Sequence, residues 1–307
     1  MILKDKINSG QFIVCGEIGP PQSCDGDVIR KKAQYFRGIA DAVNITDNQT
    51  AIARLSSIAS AKILLEEGVE PIIQMTCRDR NRLAIQSDLL GAAALGVRNV
   101  LCLTGDYQTF GDNPEAKGVF DLDSTQLIAT VAKLNSGYLL SGREMKKAPE
   151  FLIGAAANPF AVPFEMRLIR LCKKIRAGAH FIQTQPVFDP ELFRNWMERV
   201  VEMGLHEKVA ILAGVMPVKS VNTLLRMRAD VPGVKINDEY IQRMEKATDP
   251  QAEGVKIAVE IIQTVKNLKG IRGVHIMPFL WESIMPTIVK EAGLRNETEE
   301  LNYAGTH

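Results

Sequence analysis

The sequence predicts a single (β/α)8 barrel, and three observations carry that reading. Eight short apolar runs, several rich in Val and Ile, recur along the chain, each bounded by turn residues. Between them lie segments whose apolar residues return at every third and fourth position, so the strands are expected to pair in parallel through right-handed crossovers. No G-x-G-x-x-G follows the first run, although an open doubly wound sheet would favour such a phosphate loop there. A chain of 307 residues accommodates eight βα units, and the expectation is one domain over 1–307.

Taken in order, the expected strands begin with "QFIVCGE" from Gln11, "AVNITD" from Ala42, "PIIQMTC" from Pro71 and "NVLCLTGD" from Asn99. The second half adds "FLIGAAANP" from Phe151, "FIQTQPVF" from Phe181, "VAILAGVMPV" from Val209 and "GVHIMPF" from Gly273. Helical patterning is plainest in "AIARLSSIASAKILLEEG", "NRLAIQSDLLGAAALGV" and "EMRLIRLCKKIRAGA", which close on Gly68, Gly96 and Gly178. Glycine is suited to the left-handed position that ends a helix. Two connections are long. Tyr107–Asp123 leads to a helix expected to be capped by Ser124 and Thr125, and "NSGYLLSGREMKKAP" makes a surface excursion before the fifth strand.

Hydrophobic residues make up 46% of the chain, enough for a large core, so disorder is excluded as the general state. Thirty-seven basic residues against 36 acidic ones give a net charge of +1, which offers no overall attraction to nucleic acid or to an acidic membrane. No apolar run approaches the roughly 18 residues of a membrane helix, and "MILKDKINSGQ" lacks the apolar stretch of a signal peptide. A cytoplasmic protein is expected. Cys15, Cys24, Cys77, Cys102 and Cys172 contain no C-x-x-C pair, and His180, His206, His275 and His307 are far apart in sequence. Reduced thiols and no metal site are the expectation.

In a barrel of this kind the reactive groups sit at the carboxyl ends of the strands. There the sequence places Glu17, then Thr46 and Asp47, Gln74 and Thr76, and Thr104, Gly105 and Asp106. Asn158, Gln183 or Gln185 and the "GVMP" around Met216 complete the ring. Carboxylates, amides and hydroxyls without a histidine or a nucleophile pair disfavour acyl transfer and suit a site where a cofactor performs the difficult chemistry. Each residue also has an ordinary reading: Glu17 can cap a turn or pair with an Arg, Asp106 can form a turn, and Lys174 can be a solvated helix charge.

Taken together, "GEIGPP", "NITDNQT", "QMTCRDRNRLAIQSDLLGAAALGVRNVLCLTGD", "IQTQPVFD" and "GVMPV" resemble the methylenetetrahydrofolate reductase family, in the right order over nearly the whole chain. The resemblance implies a flavin-bearing (β/α)8 barrel that reduces 5,10-methylenetetrahydrofolate to 5-methyltetrahydrofolate by hydride transfer. It implies Glu17 as general acid, Asp106 as the carboxylate beside flavin and pterin, and Gln185 as a substrate contact. Thr46, Asp47, Gln74, Thr104, Gly105, Asp106, Asn158 and Lys174 match its flavin contacts, Lys174 as partner of a flavin phosphate.

The chemistry of that family needs such groups. The folate ring accepts hydride once N10 is protonated and the ring opens to an N5 iminium cation. A buried Glu has its pKa raised toward neutrality and can supply the proton, while an ionised Asp106 would stabilise the cation. Two acids with divergent proton affinities divide the work.

The chain also departs from the better-known bacterial members, with Gln74 and Thr104 in place of a histidine and an arginine, and Val221 in place of an aromatic after "GVMP". Those departures weaken dinucleotide contacts, leaving FAD or FMN as the flavin. They leave NAD(P)H or a reduced iron-sulfur partner subunit as the electron donor, as in the acetogen-type branch. A homo-oligomer is compatible with the resemblance. Two other readings stand beside it: a pterin-binding barrel methyltransferase passing a methyl group from methyltetrahydrofolate to a corrinoid protein, and a non-catalytic flavoprotein subunit relaying electrons.

Overall fold

The structure, a computed structural model, describes residues 2–231 and 233–295. His307 and the rest of the carboxyl-terminal stretch of the expected domain lie outside the described residues. Eight strands run in chain order, each parallel to the next, and the ring closes where β1 pairs with β8. They are β1 (Ile13–Ile18), β2 (Ala42–Ile45), β3 (Pro71–Thr76), β4 (Asn99–Leu103), β5 (Leu152–Ala157), β6 (Phe181–Pro186), β7 (Ala210–Val215) and β8 (Ile271–Ile276). All eight coincide with the expected runs, with ends that differ by a few residues.

A short helix the sequence reading did not assign, α1 (Ile2–Ser9), precedes the ring. The crossovers are α2 (Asp27–Ala33), α3 (Ser57–Glu66), α4 (Arg82–Ala94), α5 (Ser124–Asn135), α6 (Phe164–Ala177) and α7 (Pro190–Glu202). Between β7 and β8 lie α8 (Val221–Asp230), α9 (Asp238–Lys246) and α10 (Pro250–Val265), and α11 (Met285–Glu291) follows β8. Gly68, Gly96 and Gly178 take φ of +71°, +99° and +116°, the left-handed conformation that ends α3, α4 and α6. The cap of α5 is Asp123 and not Ser124 or Thr125: its carboxylate accepts from the Gln126 amide while the Gln126 side chain accepts from the Asp123 amide. That reciprocal pair satisfies two donors at once, which a lone hydroxyl cannot do.

Because side chains alternate across a strand, the ring divides its apolar residues into two sets. Outward-facing Val14, Val43, Ile73, Val100, Ile153, Ile182, Ile211 and Val274 pack against the helices. Inward-facing Ile13, Cys15, Ala42, Ile72, Leu101, Leu152, Phe181 and Leu212 fill the lower barrel, and Leu3 of α1 is buried among them as a plug. Each buried side chain of this size contributes about 1.5–3 kcal/mol. Below the plug, Asp41 is paired with Lys6 at 2.7 Å and Arg295 at 2.6 Å, and its carboxylate accepts from the Val14 amide at 2.8 Å. With its lower interior packed in this way, the barrel leaves its inward polar residues to the upper half.

Candidate active site

Two residues above Cys15 on the inward face of β1 stands Glu17, and β3 brings Gln74 to it by the same alternation above Ile72. Gln74 Nε2 donates to Glu17 Oε2 at 3.0 Å. From β8, whose His275 lies in register with Cys15, His275 Nε2 stands 3.5 Å from the same oxygen. Burial raises the Glu17 pKa to about 7; the Gln74 donor opposes that rise and the nearby Glu282 charge adds to it. Burial also pushes His275 down to about 3, so the imidazole is neutral. The carboxyl at the end of β1 therefore carries a proton for much of its time near neutrality.

His275 corrects the expectation of a mouth without histidine. Inward alternation continued along β8 from Gly273 reaches it directly, a signal that the spacing between histidines does not carry. Around it the inner surface turns polar. Asn44 Nδ2 donates to the Gly16 carbonyl at 3.3 Å, while both amide atoms of buried Gln183 and the hydroxyl of buried Thr46 lack a protein partner. Gln185, two residues beyond Gln183 on β6 where the pairing with β7 shifts register, is half-buried.

Several of the expected contacts are engaged by the protein itself. Asp47 Oδ2 accepts from the Thr76 amide and hydroxyl at 2.9 Å each. Arg80, unnoticed in the sequence, reaches Asp47 at 2.6 and 3.2 Å and also holds Asp88 at 2.8 Å. Asp47 is thus a buried anchor that ties β2 to the loop after β3. The Thr104 hydroxyl accepts from the Ser124 amide at 3.2 Å, and Asn158 Oδ1 accepts from Phe160 and Ala161 at 3.0 and 3.2 Å, closing its own turn. Gly105 has φ of +95°, and a Cβ there would come within 2.9 Å of Arg78 Cβ, so this backbone approaches its neighbours in a way only glycine permits. Asp106 is exposed at the rim, its carbonyl accepting from Arg78 Nη1 at 3.3 Å.

Lys174 extends from α6 to the Ala156 carbonyl at the end of β5, 2.7 Å away. Burial first, then the charge of Arg170, holds its pKa down. Burial, and after it the charge of Arg170, also lowers Arg167, so three cations share one length of α6. The sequence contains this row, but only the helix facing turns it into a positive ridge.

Cavities open at both ends of the barrel. A volume of about 450 Å³ opens at the amino-terminal end of the strands, beside Lys4, His180, His206 and Arg272, at the opposite end from Glu17. A second, smaller recess lies at the mouth and is lined by Glu17, Gly19, Gln49, Arg54, Leu280 and Glu282.

A closed parallel barrel with a proton-bearing acid at the carboxyl end of its first strand has the architecture of a (β/α)8 enzyme. The family model for methylenetetrahydrofolate reductase matches residues 2–293, and the chain belongs to that family. Methylenetetrahydrofolate reductase 2 of Schizosaccharomyces pombe is 26% identical over 306 residues, covering 95% of this chain and 47% of its own length. The 5,10-methylenetetrahydrofolate reductase of Salmonella typhimurium is 25% identical over 68% of this chain and 65% of its own length. This chain accordingly spans about half or less of the fission-yeast relatives it matches. Among solved structures, a Clostridium thermocellum protein that binds two copies of 5-methyl-5,6,7,8-tetrahydrofolic acid shares the fold. Its TM-score is 0.65 at 16% identity, covering 95% of this chain and 98% of that one.

Proposed function

We propose that this chain reduces 5,10-methylenetetrahydrofolate to 5-methyltetrahydrofolate, with Glu17 as the general acid. The observation that carries the reading is the Glu17 carboxyl itself, inside the barrel mouth with its pKa raised to about 7. A carboxyl of ordinary acidity would hold almost no proton to give at neutral pH. The family membership and the folate bound by the Clostridium thermocellum protein support the choice of substrate.

In this reading Glu17 gives its proton to N10 of the folate, the bond from N10 to the bridging carbon breaks, and that carbon remains on N5 as an iminium. Asp106, at the rim beside the Gly105 turn, faces the developing cation, and Gln185 orients the pterin by hydrogen bonding. Gln74 holds the Glu17 carboxyl by its hydrogen bond, with the neutral His275 imidazole beside the same oxygen. Water entering afterwards returns the proton that Glu17 has lost.

The residues fit a flavin. The Thr46 hydroxyl is buried without a partner, the Gly105 backbone is bare of side chain, and Lys174, Arg167 and Arg170 offer positive charge for a phosphate. Thr46, Gly105 and Asp106 would lie along the ring system and the α6 cations along the phosphate, whereas Asp47, Thr104 and Asn158 shape the walls. A bound flavin, FAD or FMN, supplies the hydride that the iminium accepts. Its own electrons would come from NAD(P)H or from a reduced iron-sulfur partner subunit.

The test is a visible spectrum of the purified and flavin-reconstituted chain, followed by anaerobic mixing with methyltetrahydrofolate. Bleaching of bound flavin by methyltetrahydrofolate is expected. A chain that takes up no flavin at all would end the reading and leave the corrinoid methyltransferase as its successor.

A further inference from the structure

Three loops meet around Glu17, and one buried ion pair joins two of them. Lys32, in the last turn of α2, donates through Nζ to the Gly19 carbonyl at 3.0 Å and to Glu282 Oε1 at 2.6 Å. Both side chains are largely shielded, with 18% and 8% of their surfaces exposed. Gly19 opens the Gly19–Pro20–Pro21 turn that leaves β1, and Glu282 opens the short 3-10 turn Glu282–Ile284 after β8. Arg54, following β2, holds the same turn from the other side by donating to the Pro20 carbonyl at 3.0 Å. Glu17, Gly19, Arg54 and Glu282 line one recess.

We propose that Lys32 and Glu282 form a positioning pair for the acid: they fix the turn after Glu17 and set the local charge that decides when its carboxyl holds a proton. The proposal rests on Glu17 acting as the acid, and it adds two residues, outside the substrate and cofactor contacts named above, that act through it. The geometry is specific. A lone lysine on the Gly19 carbonyl would stiffen the turn but leave a positive charge beside the carboxyl and favour its ionised form. A lone glutamate would favour the protonated form but release the turn. The pair keeps the turn while Glu282, whose charge reaches Glu17, still favours the protonated carboxyl. The other groups facing Glu17 are Gln74 from β3 and His275 from β8, both neutral, and Arg54, a cation that donates to the Pro20 carbonyl and is common to the parent and both variants.

The two charges make opposite predictions, which separates electrostatic positioning from simple loss of structure. Glu282→Gln leaves Lys32 unbalanced and is expected to move the titration of Glu17 down by about one pH unit. Lys32→Met leaves Glu282 unbalanced and is expected to move it up by a similar amount. The readout is infrared difference titration of the reconstituted protein, in which the carboxyl stretch of Glu17 is identified by its absence in Glu17→Gln. The pH profile of single-turnover methylenetetrahydrofolate reduction is recorded in parallel. Opposite displacements in both measurements support the pair. No displacement, or displacement of both variants in one direction, overturns it. If the infrared titrations diverge as expected while Glu17→Gln still turns over fully, the pair stands and the role of Glu17 as acid falls instead.

Discussion

His275 Nε2 stands 3.5 Å from Glu17 Oε2 and has no hydrogen-bond partner of its own. A neutral imidazole so placed can follow the carboxyl as it changes protonation, accepting from it or donating to it after a rotation of its proton between nitrogens. It places no fixed positive charge beside Glu17, which would have drawn its pKa down. Neutral His275 thus leaves in place the raised proton affinity that burial gives Glu17.

Replacing that acid is the most direct test. Glu17→Gln preserves volume and hydrogen bonding, so flavin binding should survive. Single-turnover reduction of methylenetetrahydrofolate should fall by about 10²–10⁴-fold, the usual worth of a positioned general acid. Stopped-flow absorbance of the flavin reads both quantities in one experiment, and undiminished reduction would remove Glu17 from the chemistry.

Gln74 favours the ionised form of Glu17 by donating to it. Gln74→Leu removes the donor at similar volume, so the Glu17 pKa should rise further. The alkaline decline in the rate of folate reduction should then begin at higher pH than in the parent. A decline that starts earlier would mean that Gln74 acts through something other than this hydrogen bond.

Stability should show the same two groups with opposite signs. The Glu17 pKa is raised from 4.5 to about 7, so its contribution is complete below 4.5 and is lost as pH rises through 7. The cost over that window is on the order of 3 kcal/mol. His275 is lowered from 6.5 to about 3, so its contribution is present above 6.5 and is lost as pH falls toward 3. Urea unfolding across pH should give Glu17→Gln a shallower loss between pH 5 and 7 than the parent, with the acid side unchanged.

Asp47→Asn should damage the fold before it damages chemistry. The change leaves Arg80 without its buried counter-charge and weakens the acceptor for Thr76. A loss of about 3–5 kcal/mol is expected for one half of a buried pair, read as a lower urea midpoint at unchanged slope. A variant of parent stability but weak flavin binding would instead make Asp47 a direct contact.

The α6 cations are tested apart from turnover. Arg170→Ser should weaken binding of FMN by roughly tenfold, equal to about 1.4 kcal/mol, with a steeper loss at low salt than at high salt. Fluorescence quenching of free FMN measures this. Affinity independent of both the substitution and the salt would take the phosphate away from this ridge.

The barrel was legible because its signal is repetition. Short apolar runs bounded by turn residues recur eight times, and each occurrence supports the others. The place of Glu17 at the end of β1 was legible from the apolar run before it, whereas a role as acid comes only with the family resemblance. Arg80 and Lys32 were not, since their roles depend on which way a long side chain turns once strands far apart in sequence are neighbours. The bonds that Thr104 and Asn158 accept were not legible either, because a sequence records a hydroxyl or an amide but not the backbone amides that reach it. Helix α1 was missed for want of repetition: Leu3 and Ile7 are its only large apolar pair spaced four apart, too little for a periodicity.

Asp41 gathers Lys6 from one end of the described chain and Arg295 from the other, and holds the amide of Val14, whose residue is in register with Val274 across the β1–β8 seam. The carboxylate thus acts as a clasp on a ring, engaged fully only when the first and last staves stand side by side. The exchange of a single proton, that of the Val14 amide with solvent deuterium, becomes a gauge of whether the ring is shut, and it can be read without substrate, cofactor or turnover.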